Sequence, residues 1–163
     1  TFFAQCPGQP GGAGGTPTWA RSNARRYVVD ALTERDASLF APIGRVPGVD
    51  LAARVGDGSY VELRIAESAA PGVFRAEVRR PKPSLFVLGV EETEEGVEAW
   101  VLPSGAFERF AFGNVLELDE PSDEPLRERL AVYRNRWSLI ADYAKYRTTL
   151  NDPVALRVQL SLG

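Results

Sequence analysis

Two alternating stretches, residues 49–55 and 60–68, joined by Gly56-Asp57-Gly58-Ser59, constrain this chain more than any other segment. Successive strand residues point to opposite faces, so a slip of one residue would turn every side chain over. A three-residue loop with a glycine bulge sets Asp50 opposite Arg64 and Ala52 opposite Glu62. The other face then pairs Val49 with Ile65, Leu51 with Leu63, and Ala53 with Val61, all apolar. The slipped register would put Glu62 and Arg64 against Ala53 and Leu51, mixing charge into that face. The hydrophobic pattern therefore selects the register that gathers Asp50, Glu62 and Arg64. Asp50 and Glu62 become diagonal neighbours, roughly 7–8 Å apart between Cα atoms.

The elements around this hairpin follow from the same kind of pattern. Ser22 or Asn23 is positioned to cap a helix to about Arg35, with Tyr27, Val28, Ala31 and Leu32 as its apolar stripe. A short strand is expected over 38–42 and a basic strand over 74–80. The nearly continuous apolar run at 85–91 reads as a buried central strand, paired through an acidic turn with a strand over 97–102. A short helix begins at Pro103-Ser104, and residues 114–119 read as a last core strand. Asp123 is placed to cap a long helix from Glu124 to about Thr149. Leu126, Leu130, Tyr133, Trp137, Ile140 and Ala144 form its stripe in steps of four and three, the spacing of a helix laid on a sheet or of a dimer seam. The tail, 154–162, reads as an edge strand. The expected fold is α/β, a mixed central sheet with an αβββ…β core and a long C-terminal amphipathic helix. Residues 1–21, rich in Gly and Pro, form a flexible leader; 22–122 form the α/β domain, and 123–163 pack on it.

Two absences narrow the chemistry. The chain has no histidine and one cysteine, Cys6. That excludes a Ser-His-Asp triad, a histidine base and a zinc site built from His or Cys. A metal would be held by Asp and Glu oxygens, which selects hard cations such as Mg²⁺, Mn²⁺ or Ca²⁺. A lone thiol, no secretory leader and no apolar run of membrane length lead to the expectation of a soluble, cytoplasmic protein. With no methionine, residue 1 is read as a processed or incomplete start. Charge is uneven: residues 1–82 carry 11 basic and 8 acidic side chains, 83–125 carry 1 and 11, and 126–163 carry 7 and 3. An acidic block between basic ones can steer a polyanion to one face, or can simply be solvated.

An acid, a hairpin and an acid-x-base pair resembles the PD-(D/E)xK nuclease superfamily, the group of many restriction enzymes and Holliday-junction resolvases. The resemblance spans residues 22–112 and implies a nuclease-like sheet and a Mg²⁺- or Mn²⁺-dependent endonuclease acting on DNA. It implies that Asp50 and Glu62 bind the metal and that Arg64 takes the place of the lysine that positions the attacking water. The chain departs from the pattern in four places. Pro47 lies three residues before Asp50, Arg stands at 64, a basic strand and a Pro-rich loop stand where a helix is expected between the third and fourth strands, and the first helix offers only Asp30 near the position of the family's acid. Guanidinium stays protonated and presents a fixed fork, so Arg64 can hold a water or phosphate oxygen but cannot manage a proton as lysine does.

The alternative is a nuclease fold that has lost catalysis and serves as a binding or assembly module. Its surface would be the helix from Leu126 to Thr149, through a homodimer or a partner protein. Locally, Asp50 and Arg64 would then be a cross-strand ion pair, contributing about 0.2–1 kcal/mol. Arg25, Arg26, Arg79, Arg80 and Lys82 (with Arg75) form the candidate DNA-phosphate surface beside the hairpin. An edge that deters sheet-to-sheet pairing would carry the same charges. Trp100, Tyr133 and Trp137 read as core.

Overall fold

The alternation of 49–65 becomes a hairpin in the expected register. The computed structural model describes residues 21–44 and 48–162. Cys6, the Gly/Pro leader up to residue 20, and Pro47 lie outside the described residues. Strand β1 (Ser38–Phe40) pairs with β2 (Leu51–Arg54), and β2 with β3 (Tyr60–Ile65), both antiparallel. Leu51 faces Leu63, Ala52 faces Glu62 and Ala53 faces Val61. Gly58 closes the loop at φ +89, a conformation that costs glycine little. Next to β3 and parallel to it lies β6 (Leu85–Thr93), which pairs antiparallel with β7 (Gly96–Pro103). The five-stranded order is β1-β2-β3-β6-β7.

A parallel neighbour requires a crossover, and here the crossover carries a β-hairpin in place of a helix. Strands β4 (Glu67–Ala70), β5 (Val73–Arg75) and β8 (Val115–Glu117) form a second, three-stranded sheet in the order β4-β5-β8. The basic strand expected over 74–80 ends at Arg75, and Arg79 and Arg80 fall in a bend. Pro81 and Pro83 follow directly and, lacking donors, keep a ladder from resuming there.

The main sheet is covered on both sides, but not completely. Leu51, Ala53, Val61, Leu63, Ile65, Phe86 and Leu88 are buried on one face. Helix α1 (Arg21–Thr33) lies there with Ala24, Val28, Ala31 and Leu32 turned inward, positions spaced by about one and two helical turns. On the same side the Tyr143 ring meets Phe86 edge-on at 6.1 Å. On the opposite face, Phe74 of β5 sits on Gly89 of β6, where a Cβ would come within 2.8 Å of the ring. The small sheet thus covers the β6–β7 half of that face. The β2–β3 half stays open, and there Glu62 and Arg64 are half-buried.

The C-terminal third departs from its expected form. The mixed α/β fold and a C-terminal helix are present, but residues 126–149 are not one helix. They form α3 (Leu126–Arg129), a 3₁₀ turn (Ala131–Tyr133), α4 (Ser138–Ala141) and α5 (Tyr143–Tyr146). The break comes at Arg134 and Asn135, where the chain turns to the edge of β7. Arg134 bridges to Trp100, the Asn135 N–H donates to Ala99 O at 2.6 Å, and Asn135 Oδ1 accepts the Ala99 N–H at 2.8 Å. Asn135 adopts φ +53, which asparagine tolerates better than most residues. Pairing a sheet edge outweighed continuing a helix. Leu130, Tyr133, Trp137 and Ile140 still reach the core, so their spacing reported burial correctly while misreporting the backbone. The expected edge strand at 154–162 is instead helix α6 (Pro153–Leu162). Asp152 caps it by accepting the Val154 and Ala155 N–H groups, with Pro153 in the first turn, where its missing donor is harmless. Before it, α2 (Ser104–Phe110) begins where Pro103-Ser104 signalled.

Candidate functional site

Asp50, Glu62 and Arg64 meet on the open half-face. Asp50 lies at the end of the β2 ladder, and its backbone N–H donates to Leu63 O at 2.8 Å. Its carboxylate continues the ladder where the strand stops: Oδ2 accepts the Ile65 N–H at 2.7 Å. Oδ1 lies 3.5 Å from Arg64 Nη1, and the two side chains are 15% and 21% exposed. A charge-assisted bond to a backbone donor of this kind contributes about 1.5–3 kcal/mol. Asp50 therefore has structural work as well as a place on the open face. Arg64 is less tightly held, and its buried Nε has no hydrogen-bond partner among the described residues.

Glu62 has a different environment. Its backbone N–H donates to Ser84 O at 2.7 Å, which ties the loop before β6 to β3. Its side chain is 32% exposed, and Lys82 Nζ approaches Oε1 at 2.5 Å. That approach is misaligned for hydrogen bonding, so Oε1 has an ion pair and no hydrogen bond. The open face thus holds two acids and two bases in alternation. Sequence reasoning put Lys82 among phosphate contacts and missed its position against Glu62. The signal available was the Pro-Lys-Pro tripeptide, which leads into a strand parallel to β3.

The other basic candidates are scattered. Arg25 and Arg26 are exposed on α1, the helix that covers the opposite face. Arg75 pairs with Glu67 at 2.8 Å, and Arg79 with Glu77 at 3.3 Å. Arg80 is exposed in the bend. Lys82 alone of this group reaches the site. Asp30 is exposed on α1 and does not join the acids on the open face.

Two carboxylates with oxygen donors fit a hard divalent cation that keeps part of its water shell. Among the described residues no three acidic or thiol side chains converge as a metal-binding group, so water or a bound phosphate would complete the coordination. Asp50 and Glu62 are the residues that would hold such an ion.

A second charged cluster went unforeseen. Glu91, at the far end of β6, is 4% exposed and accepts from the Gly72 N–H at 3.1 Å, Trp100 Nε1 at 2.8 Å and Arg127 Nη1 at 3.1 Å. Arg127 also grips Asp119 through two bonds of 2.7 and 2.8 Å. Those bonds hold the Asp119 carboxyl below its ordinary value, and with Glu91 they push the Arg127 guanidinium still higher. Every member has a partner, and the cluster pins the small sheet to the large one. Arg127 thus belongs to this lock, and Arg134, further along the chain, lies 3.8 Å from Glu98.

The fold has a counterpart among solved structures. The chain is similar to the bacterial homing endonuclease I-Ssp6803I, with a TM-score of 0.51 and 22% identity over 77% of this chain and 91% of that one. The likeness is one of fold: a nuclease-like α/β architecture. No protein-family model and no curated protein matches the sequence. Among the described residues no helix is long and apolar enough to cross a membrane.

Proposed function

We propose that this chain is a DNA endonuclease of the PD-(D/E)xK kind, dependent on Mg²⁺ or Mn²⁺. Asp50 and Glu62 bind the cation, and Arg64 holds the scissile phosphate or the attacking water. The observation that carries this reading is the open half-face. The small sheet and α1 cover much of the main sheet, yet this half-face keeps two half-buried carboxylates beside a guanidinium whose Nε has no hydrogen-bond partner among the described residues. The likeness in fold to a homing endonuclease supports it. When bound, the cation supplies a Lewis acid for the phosphoryl oxygen and lowers the pKa of its bound water. Of the chain's own residues, Arg64 orients the phosphate with a planar fork suited to two oxygens, and the Ile65 N–H holds Asp50 in place for the cation.

A second reading, a catalytically degenerate nuclease fold that binds DNA or a partner, is favoured by one observation. Each carboxylate already faces a cationic side chain, Asp50 by Arg64 and Glu62 by Lys82. Its partner surface is not the stripe from Leu126 to Ile140, because that stripe lies in the chain's own core.

Incubating supercoiled, linear, single-stranded and branched DNA with Mg²⁺ or Mn²⁺ separates the two. Cleavage by the wild type and its loss in Glu62→Ala is the expected result. Absence of cleavage on every substrate, together with no Mn²⁺-induced rise in melting temperature, would transfer the assignment to the binding module.

A further inference from the structure

Arg64 is already engaged with Asp50, its Nη1 3.5 Å from Oδ1. The structure supplies an ammonium from another element. We propose that Lys82 is the catalytic cation acting beside Glu62, and that Ser104 is the residue positioning it. This inference rests on the nuclease reading.

Three observations carry it. Lys82 Nζ lies 2.5 Å from Glu62 Oε1 and is 51% exposed, so it borders the acid and the solvent from which DNA would arrive. The backbone beneath it is fixed to a degree a surface charge does not require. Ser104 Oγ accepts the Lys82 N–H at 3.0 Å and donates to Lys82 O at 2.8 Å, while the Leu85 N–H donates to the same carbonyl at 3.0 Å. Ser104 itself is fully buried at the start of α2. Pro81 and Pro83 flank the lysine and restrict φ on both sides. Thirdly, Glu62 Oε1 is buried and Lys82 Nζ is the cation set against it, so the ammonium stands where a water or phosphate oxygen beside that acid would lie.

The chemistry then divides between the two bases. Hydrolysis adds the oxygen of water to phosphorus and breaks the bond to the leaving sugar oxygen. The proton lost by the water passes to solvent and solvent returns one to the leaving alkoxide, so the step consumes neither acid nor base overall. Lys82, with three rotatable donors on a compact charge, orients the incoming water and stabilises the charge gathering on the phosphoryl oxygens. Arg64, with a planar fork, holds the phosphate in place. Ser104 keeps the ammonium within reach by fixing the main chain under it.

The test compares wild type, Lys82→Ala, Lys82→Arg and Ser104→Ala in single-turnover cleavage of plasmid DNA with Mn²⁺. Affinity for a fluorescent duplex is read in Ca²⁺, and melting temperature checks folding. Lys82→Ala is expected to slow cleavage by about 100-fold or more with affinity and its salt dependence unchanged. Lys82→Arg is expected to stay as slow as Lys82→Ala. Ser104→Ala should lower kcat by up to about 100-fold and leave KM alone, as a shift of the reacting group does. Restoration by Lys82→Arg, or a loss seen only in affinity and in the salt slope, would overturn the assignment, because charge or phosphate contact alone would then suffice. Equal cleavage by wild type and Lys82→Ala defeats this inference and leaves the nuclease standing. A wild type that cleaves nothing defeats both.

Discussion

Replacing Arg127 by alanine tests the lock between the two sheets. Glu91 is almost fully buried, and Arg127 is the cation among the three donors that surround its carboxylate. Removing it leaves an ionised group in a low-dielectric setting with two neutral N–H donors. Loss of one partner of a buried pair costs about 3–5 kcal/mol. The Asp119 side of the contact adds little: that carboxylate is 57% exposed, and an exposed pair contributes about 0–1 kcal/mol. At about 2–4 °C per kcal/mol for a chain of this size, the melting temperature should fall by about 6–20 °C. Urea titration followed by far-UV circular dichroism reads the change, and tryptophan fluorescence accompanies it, because the Trp100 indole donates to Glu91 and lies under the Arg127 guanidinium at 5.7 Å. The double variant Arg127→Ala with Glu91→Gln removes the stranded charge and should recover part of the loss. A single-variant cost below about 1 kcal/mol would refute the reasoning, since Glu91 would then be stabilised by its neutral donors alone.

Two further outcomes follow from the same packing. Gly89→Ala places a methyl 2.8 Å from the Phe74 ring, at the near end of a fully buried side chain, and should cost about 1–3 kcal/mol in chemical denaturation. Asp119 has its folded pKa held below the ordinary 3.8 by the Arg127 hydrogen bonds, so its stabilising contribution is fully present above 3.8 and is lost as pH falls through the lower folded value. Asp119→Asn should therefore flatten the acid limb of a stability-against-pH curve and leave its slope near neutrality unchanged.

The parts of the fold that sequence revealed are those where side-chain period and backbone period coincide. The β2–β3 register could be read from Leu51, Ala53, Val61 and Leu63, since a slip would bury Glu62 and Arg64. The short helix at Ser104 and the buried strand at Leu85 followed from their punctuation. The segment from Leu126 to Thr149 misled because its apolar spacing was set by which side chains reach the core, not by a continuous helix. Asn135 was its one internal sign of a break. At Asp152-Pro153 the helix-start signature was present, but the alternation of the tail concealed it. The site was only partly legible. Asp50, Glu62 and Arg64 are local to one hairpin, whereas Lys82 arrives through the crossover from β3 to β6, and no local pattern gives the geometry of that return.

That difference bears on what the site can do. A hairpin alone yields Asp50 against Arg64, a cross-strand pair any half-exposed sheet could use. The parallel strand β6 adds the second base because its entry loop must pass beside β3, with the Glu62 N–H bonded to Ser84 O. The small sheet occupies the other half of the same face through Phe74 on Gly89, and so leaves the acids and their bases open beside the exposed Phe40–Tyr60 ring pair. Topology thus converts a common ion pair into a four-residue charged surface of limited extent. A divalent cation entering that surface would compete with Arg64 and Lys82 for the same carboxylates. Metal binding should therefore free the two bases toward whatever anion approaches. On the proposed reading, a polyanion whose phosphates can take both bases would offset that exchange, as a small neutral ligand could not.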